Sequence, residues 1–261
     1  MPKSFEEAER WYRRSAEQGF AGAQRALGFV YASGRGLVRD DVAAVGWYEA
    51  AARQGDAQAQ FNLGWMYEHG WGVTLDYGRA MELYNQALDN GSLEAQTNFG
   101  VMYRQGMGVP QDYSEAARRF RVAADASPRA AYNLAHLYHD GRGVVRDQVE
   151  ALRWCWLAAE QGFPAAAEAL GLTYEGGEGV PRDEAEALTW FIVAAAQAAG
   201  EYRDDIADDM RASFEQRRDS LLDRVSAADR DAGQRRAKGW LEQFKNDRPH
   251  DWPLSPDPAL P

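Results

Sequence analysis

The chain has 261 residues, of which 45% are hydrophobic, enough to bury a sizeable core and to exclude global disorder. Its formal net charge of -11, from 40 acidic against 29 basic side chains, argues against binding nucleic acid, since phosphate neutralisation needs a surplus of Lys and Arg. A single cysteine, Cys155, excludes an intramolecular disulfide, and no stretch approaches the roughly 20 apolar residues of a membrane span.

The N-terminus, "MPKSFEEAERWYRR", lacks the apolar core of a signal peptide. As written, the protein is expected in the cytoplasm; a trimmed N-terminus would leave the periplasm or secretion open. The stretch is helical in pattern, with Ser4 in the capping place. Then comes "GRGLVRDD", two glycines one residue apart, followed by aspartates. Alone it could be a phosphate loop, yet it returns along the chain. The pairs are Gly34 and Gly36, Gly70 and Gly72, Gly106 and Gly108, Gly141 and Gly143, Gly177 and Gly179. Each is followed by an aspartate, namely Asp40, Asp76, Asp112, Asp147 and Asp183. A phosphate loop follows a strand and occurs once per site. A period of about 36 residues is instead the mark of a solenoid.

Each unit reads as two helices. The first starts at the aspartate, whose carboxylate can accept from the free amides of the opening turn. In the second unit it carries Ala44, Val45, Tyr48, Ala51 and Ala52, with Trp47 beside them, and stops at Gly55. The second helix carries Ala59, Leu63, Gly64 and Tyr67. Small residues at Ala23, Ala59, Ala95, Ala130 and Ala166 mark a close helix approach. Pro110 and Pro181 fall in loops, Pro128 and Pro164 at the starts of second helices. No strand pattern occurs.

This pattern of Ala44, Trp47, Tyr48, Gly55, Ala59, Leu63, Gly64, Tyr67, the glycine pair and Asp76 resembles the Sel-one-like repeat, a relative of the tetratricopeptide repeat. The resemblance implies an all-α, right-handed α/α superhelical solenoid of helix-turn-helix repeats with a C-terminal helical cap. Residues 1–199 would hold five full units and the first helix of a sixth, 200–245 the capping helices, and 246–261 a proline-rich extended or disordered tail containing Trp252. The fourth unit departs most, with Arg119 in the tryptophan place, Ser127 in the loop-glycine place, Ala135 for the second-helix glycine and one residue missing. Local irregularity is expected there. Ile206, Met210, Phe214, Leu221, Leu222 and Val225 are the apolar contacts expected of the first capping helix, and Ser226 caps a last helix through Trp240, Leu241 and Phe244.

The resemblance also implies recognition of a protein rather than catalysis, and neither a cofactor nor a catalytic residue is expected. Cys155, between two tryptophans on an apolar face, reads as a buried, unreactive thiol. His136 and His139 lie three apart beside Asp140, a spacing that can share a metal, but three groups at a helix end do not complete a ligand set and no metal is expected. Asp205 and Asp209 lie one turn apart near Arg203 and Arg211 and read as a solvated face. By analogy with tetratricopeptide repeats, the first helices line a concave groove. Its exposed places include Arg10, Arg13 and Arg14 in the first unit, Arg118 and Arg121 in the fourth, and Arg153, Trp156 and Leu157 in the fifth. These arginines and Trp156 suit a protein or peptide partner with acidic residues. Trp156 is open between an exposed anchor and a place under the cap. The alternatives are a hydrolase and a regulatory subunit that binds a metal or small ligand in the groove. The oligomeric state is left open.

Overall fold

The computed structural model describes residues 5–34, 38–199 and 208–246, with side chains from 9 to 244 within those ranges. They form thirteen helices and no strand. The chain divides into two compact units, residues 1–123 and 124–261. The boundary falls inside the irregular fourth repeat, between its two helices.

In the first unit the pairs are α1 (Phe5–Glu17) and α2 (Ala21–Ser33), α3 (Asp41–Ala52) and α4 (Ala57–His69), and α5 (Tyr77–Asp89) and α6 (Glu94–Gln105), with α7 (Tyr113–Ala123) last. The first helices start where the aspartates predict. The Asp40 and Asp76 carboxylates accept from the amides of Ala43 and Arg79, and Asp112 accepts from Ser114 and Glu115. The amide of each capping aspartate is used too: Asp40, Asp76 and Asp112 donate to the carbonyls of Tyr31, Tyr67 and Tyr103 at 3.0, 3.0 and 2.9 Å. Each loop is thereby latched to the helix before it.

The glycine pairs serve two purposes. Gly70 ends α4 in the left-handed region, at φ 68°. Gly72, at φ 67°, lies so near the start of α3 that a β-carbon there would fall 2.3 Å from the Asp41 carbonyl oxygen. Both positions suit glycine alone, the second for two reasons. Gly36 lies outside the described residues, as do Ser4, Arg203, Asp205, Ile206 and the segment from 247 that contains Trp252.

A second set of glycines sets the helix spacing. A β-carbon on Gly28 would come 2.7 Å from the Tyr48 ring, on Gly64 2.8 Å from Tyr84, and on Gly100 2.4 Å from Phe120. The second helix of one repeat thus receives the ring of the next first helix directly on its backbone. Tyr48, Tyr84 and Phe120 are all buried, and they anchor the apolar core with Leu63, Met66, Phe99 and Met102. Asn62 hydrogen-bonds the Tyr48 hydroxyl and Asn98 donates to that of Tyr84 at 2.9 Å, so neither buried hydroxyl is stranded. The Tyr84 hydroxyl in turn donates to the buried Glu68 carboxylate.

The second unit contains α8 (Pro128–Asp140), α9 (Gln148–Glu160), α10 (Pro164–Gly176), α11 (Glu184–Ala199), α12 (Asp208–Leu222) and α13 (Ala227–Asn246). Pro128 and Pro164 open α8 and α10, where the missing N–H is not needed. Asp147 and Asp183 cap α9 and α11 and latch to Tyr138 and Tyr174 at 3.0 Å. A β-carbon on Gly171 would meet the Phe191 ring at 2.6 Å. At the equivalent positions of α8 and α9 stand Ala135 and Cys155, both buried in one core cluster. A smaller knob accompanies a filled socket.

The carbonyls at the ends of first helices follow the same logic. Gln24 donates to the Ala16 carbonyl at 3.1 Å and Gln60 to that of Ala52 at 3.2 Å. In the second unit Ala131 and Ala167 occupy the place of those glutamines. There Gln161 reaches the Ala124 carbonyl at 3.3 Å and Gln197 that of Ala159 at 3.0 Å, from the next first helix. A buried carbonyl without a partner costs about 1–3 kcal/mol, which is reason enough for two sequence solutions to one need.

Phe214, Leu221 and Val225 are buried and Met210 and Leu222 half-buried, against α10 and α11. Ser226 accepts from the Asp229 amide at 3.1 Å and donates to its carboxylate at 2.6 Å, opening α13. Arg217 pairs with Glu168 at 2.5 Å, Arg236 with Glu186 at 2.7 Å, and Arg224 with Glu175. Gly233 brings α13 close to α11, since a β-carbon there would lie 2.8 Å from the Ala185 carbonyl oxygen.

Candidate functional site

The side chains expected to meet a partner are distributed over both units. On α1, Arg10 and Arg14 are exposed, whereas Arg13 is half-buried: its Nε donates to Glu9 at 2.7 Å and its guanidinium to the Tyr31 hydroxyl. On α7, Arg118 and Arg121 are exposed. Arg118 forks onto the Glu115 carboxylate with bonds of 2.7 and 2.5 Å, and Arg119 reaches the same carboxylate at 2.7 Å. These guanidiniums, Arg118 foremost, hold the Glu115 carboxyl down at about 2, well below the usual carboxylate range. Arg119 also lies 5.0 Å over the Phe99 ring, so the arginine in the tryptophan place still packs as a flat cation on an aromatic face.

On α9 of the second unit, Arg153 is exposed, 3.3 Å from Glu150 and 5.6 Å from the Trp154 ring centre. Trp156 and Leu157 are half-buried. The Trp156 ring meets Trp190 of α11 edge-on at 4.5 Å, Trp190 meets Trp240 of α13 at 5.7 Å, and Trp240 stacks on Phe244 at 5.0 Å. The half-buried Trp156 thus packs against Trp190 of α11, and its side chain also hydrogen-bonds Tyr174 of α10.

The structure also places the other residues singled out above. Cys155 is buried, its thiol donating to the Ala166 carbonyl at 3.3 Å, and burial pushes its pKa up to about 12. His136 is exposed with its ring 4.5 Å from Tyr132, and His139 sits 3.1 Å from the Gln148 amide oxygen. Among the described residues no group of three or more His, Cys, Asp and Glu side chains is placed to hold a metal ion. Asp209 is exposed and Arg211 pairs with Asp208. No described helix is long and apolar enough to cross a membrane.

Sequence reasoning missed one cluster in the first unit. Trp65 and Trp71 meet edge-on at 4.3 Å, His69 lies 4.2 Å from Trp65, and Arg39 covers Trp71 at 4.4 Å. The signal was present, since Trp71 sits between two glycines where the other units have Arg35, Met107, Arg142 and Glu178.

The sequence pattern of the Sel1 repeat matches residues 1–20, 21–56, 57–92, 93–127, 128–163 and 164–198. The chain belongs to the Sel1 repeat family. In the family's phase a Sel1 repeat begins at the second helix and ends after the next first helix, the two elements joined by the glycine–ring contact. The structure is similar to the crystal structure of a Sel1 repeat protein from Oxalobacter formigenes, with 26% identity over 88% of this chain and 89% of that one and a TM-score of 0.70. It is also similar to a Sel1 repeat protein from Klebsiella pneumoniae, at 21% identity over 82% and 98% of the two chains and a TM-score of 0.52. An immunity protein from Pseudomonas aeruginosa shares 21% identity over 99% and 92%, with a TM-score of 0.50. The last two likenesses concern the fold alone. No protein with a curated description matches the chain.

Proposed function

We propose that this Sel1 repeat chain is a non-catalytic scaffold or adaptor that holds a segment of a partner protein on the outward faces of its first helices. Sel1 repeats are typically a protein-interaction scaffold. The observation that carries the reading here is the side-chain set on α9: exposed Arg153 beside Trp156 and Leu157, each half-buried. An aromatic and an alkyl group fixed from below, with a cation at the side, form the kind of surface that dominates binding energy. In the first unit, Arg118 and Arg121 on α7 and Arg10, Arg13 and Arg14 on α1 supply cations for an acidic partner segment. Arg118 is already held by Glu115 in a fixed fork, so it would contribute orientation more than net charge.

The test is affinity purification of the full chain with cross-linking and mass spectrometry, repeated with Trp156→Ala, Arg153→Glu and Arg121→Glu. A partner recovered by the parent chain and lost with these variants, all folded by circular dichroism, is the expected result. Unchanged recovery with all three overturns the reading.

A further inference from the structure

Both capping helices pack on α11 rather than on each other. Phe214 and Leu221 of α12 turn into the core, and so do Gly233 and Ala237 of α13. The residues beside those contacts border the gap that remains: Arg218 and Leu222 on α12, and Gln234, Lys238, Leu241 and Glu242 on α13. Spacings of three and four place each set on one stripe of its helix. With Ile192 of α11 at the base, the two stripes enclose a groove of about 520 Å³, within the roughly 300–1,000 Å³ of sites that hold small molecules.

The groove is divided by chemistry. Ile192, Leu222 and Leu241 are half-buried and offer saturated alkyl surface. Around them stand the Arg218 guanidinium on one wall and the Lys238 ammonium and Gln234 amide on the other, with Glu242 as the carboxylate in the lining. The Arg218 Nε donates to Asp219 at 2.8 Å, an exposed carboxylate outside the lining. Lys238 lies 3.9 Å from Glu242, beyond hydrogen-bond length, so that carboxylate does not fix its ammonium in place. Two cations and an amide donor against one carboxylate favour a negative head group, and the alkyl base favours a saturated chain behind it.

We propose that the groove between α12 and α13 binds a free medium-chain fatty acid. The chain lies over Ile192, Leu222 and Leu241, and the carboxylate is received by Arg218 and Lys238. Each half of the ligand answers one half of the site: the hydrocarbon covers alkyl groups otherwise left to water, and the head group completes the hydrogen bonding of the two cations. The groove shares no residue with the arginine and tryptophan positions of the first helices, so it stands or falls apart from the partner-binding reading.

Decanoate, kept below its micelle concentration, is titrated into the full chain by isothermal calorimetry. One saturable site is expected, with octanoate, two methylenes shorter, bound about tenfold more weakly. Decanol tests the head group: it should bind the parent chain about tenfold more weakly than decanoate, and a chain carrying both Arg218→Gln and Lys238→Gln about equally well. Gln234→Trp, at an exposed position on the groove wall, should block decanoate in a chain whose melting is unchanged. Absence of saturable binding, decanol bound as tightly as decanoate by the parent chain, or unaltered binding with Gln234→Trp overturns the proposal. So does sedimentation of the chain alone as a dimer that Leu222→Glu dissociates, since a second copy would then be the occupant. Retention of the chain on phosphatidylglycerol vesicles without uptake of decanoate overturns it as well, in favour of a membrane.

Discussion

The ring of Phe120 rests so closely on Gly100 that a β-carbon there would lie 2.4 Å from its Cε1 atom. The same contact joins Gly28 to Tyr48, Gly64 to Tyr84 and Gly171 to Phe191, and it tolerates Ala135 only where Cys155 replaces the ring. Gly100→Val should destabilise the chain by about 1–3 kcal/mol, because neither backbone nor ring can retreat in a close-packed core. Cys155→Phe should be similarly costly alone. Adding Ala135→Gly should recover most of that loss, a coupling that urea unfolding of the two single variants and the double variant measures.

Gly72→Val tests the loop. The position combines a left-handed φ of 67° with a β-carbon 2.3 Å from the Asp41 carbonyl oxygen. A β-branched residue there should cost about 2 kcal/mol or more, and the lowered urea midpoint should appear without any change in ligand binding. Nucleotide binding lost with this substitution in a folded chain would restore the phosphate-loop reading.

Cys155 should be inert to thiol reagents in the folded chain at pH 8 and react only on unfolding. Its thiol is held neutral up to about 12, raised from 9.0, so the folded state keeps a proton that the unfolded state has released between those values. The contribution to stability is complete below 9.0 and declines as pH rises towards 12. Cys155→Ala should remove that part of the alkaline decline in a pH series of melting temperatures.

Glu115 acts at the other end of the scale. Arg118 and Arg119 lower its pKa from 4.5 to about 2, so its contribution is present above 4.5 and is lost as pH falls towards 2. Glu115→Gln should lower stability at neutral pH and flatten the acid decline over that window. Arg118→Ala should do the same in part, since Arg119 retains its bond to the carboxylate.

The helix pairs, their aspartate caps and the glycine turns were legible in the sequence because each depends on contacts within about ten residues, repeated several times over. Reading Gly64 as a small residue was also possible. Knowing that Tyr84 stands over it required the helices to be assembled, since the partners lie in different repeats. The same limit applies to α13: nothing near Gly233 announces that Ala185 is its neighbour. For the candidate site, position along a helix was legible, but engagement was not. Nothing in the sequence marked Arg13 and Arg118 as engaged, yet both are already held by carboxylates.

The latch between each capping aspartate amide and a tyrosine carbonyl nine residues earlier has a bearing on how such chains diversify. Because the loop is closed by main-chain atoms and a carboxylate, the side chain between the two glycines is excused from holding it shut. Arginine, tryptophan, methionine and glutamate all occur there. That single site varies in size and charge on a frame whose closure does not depend on its side chain.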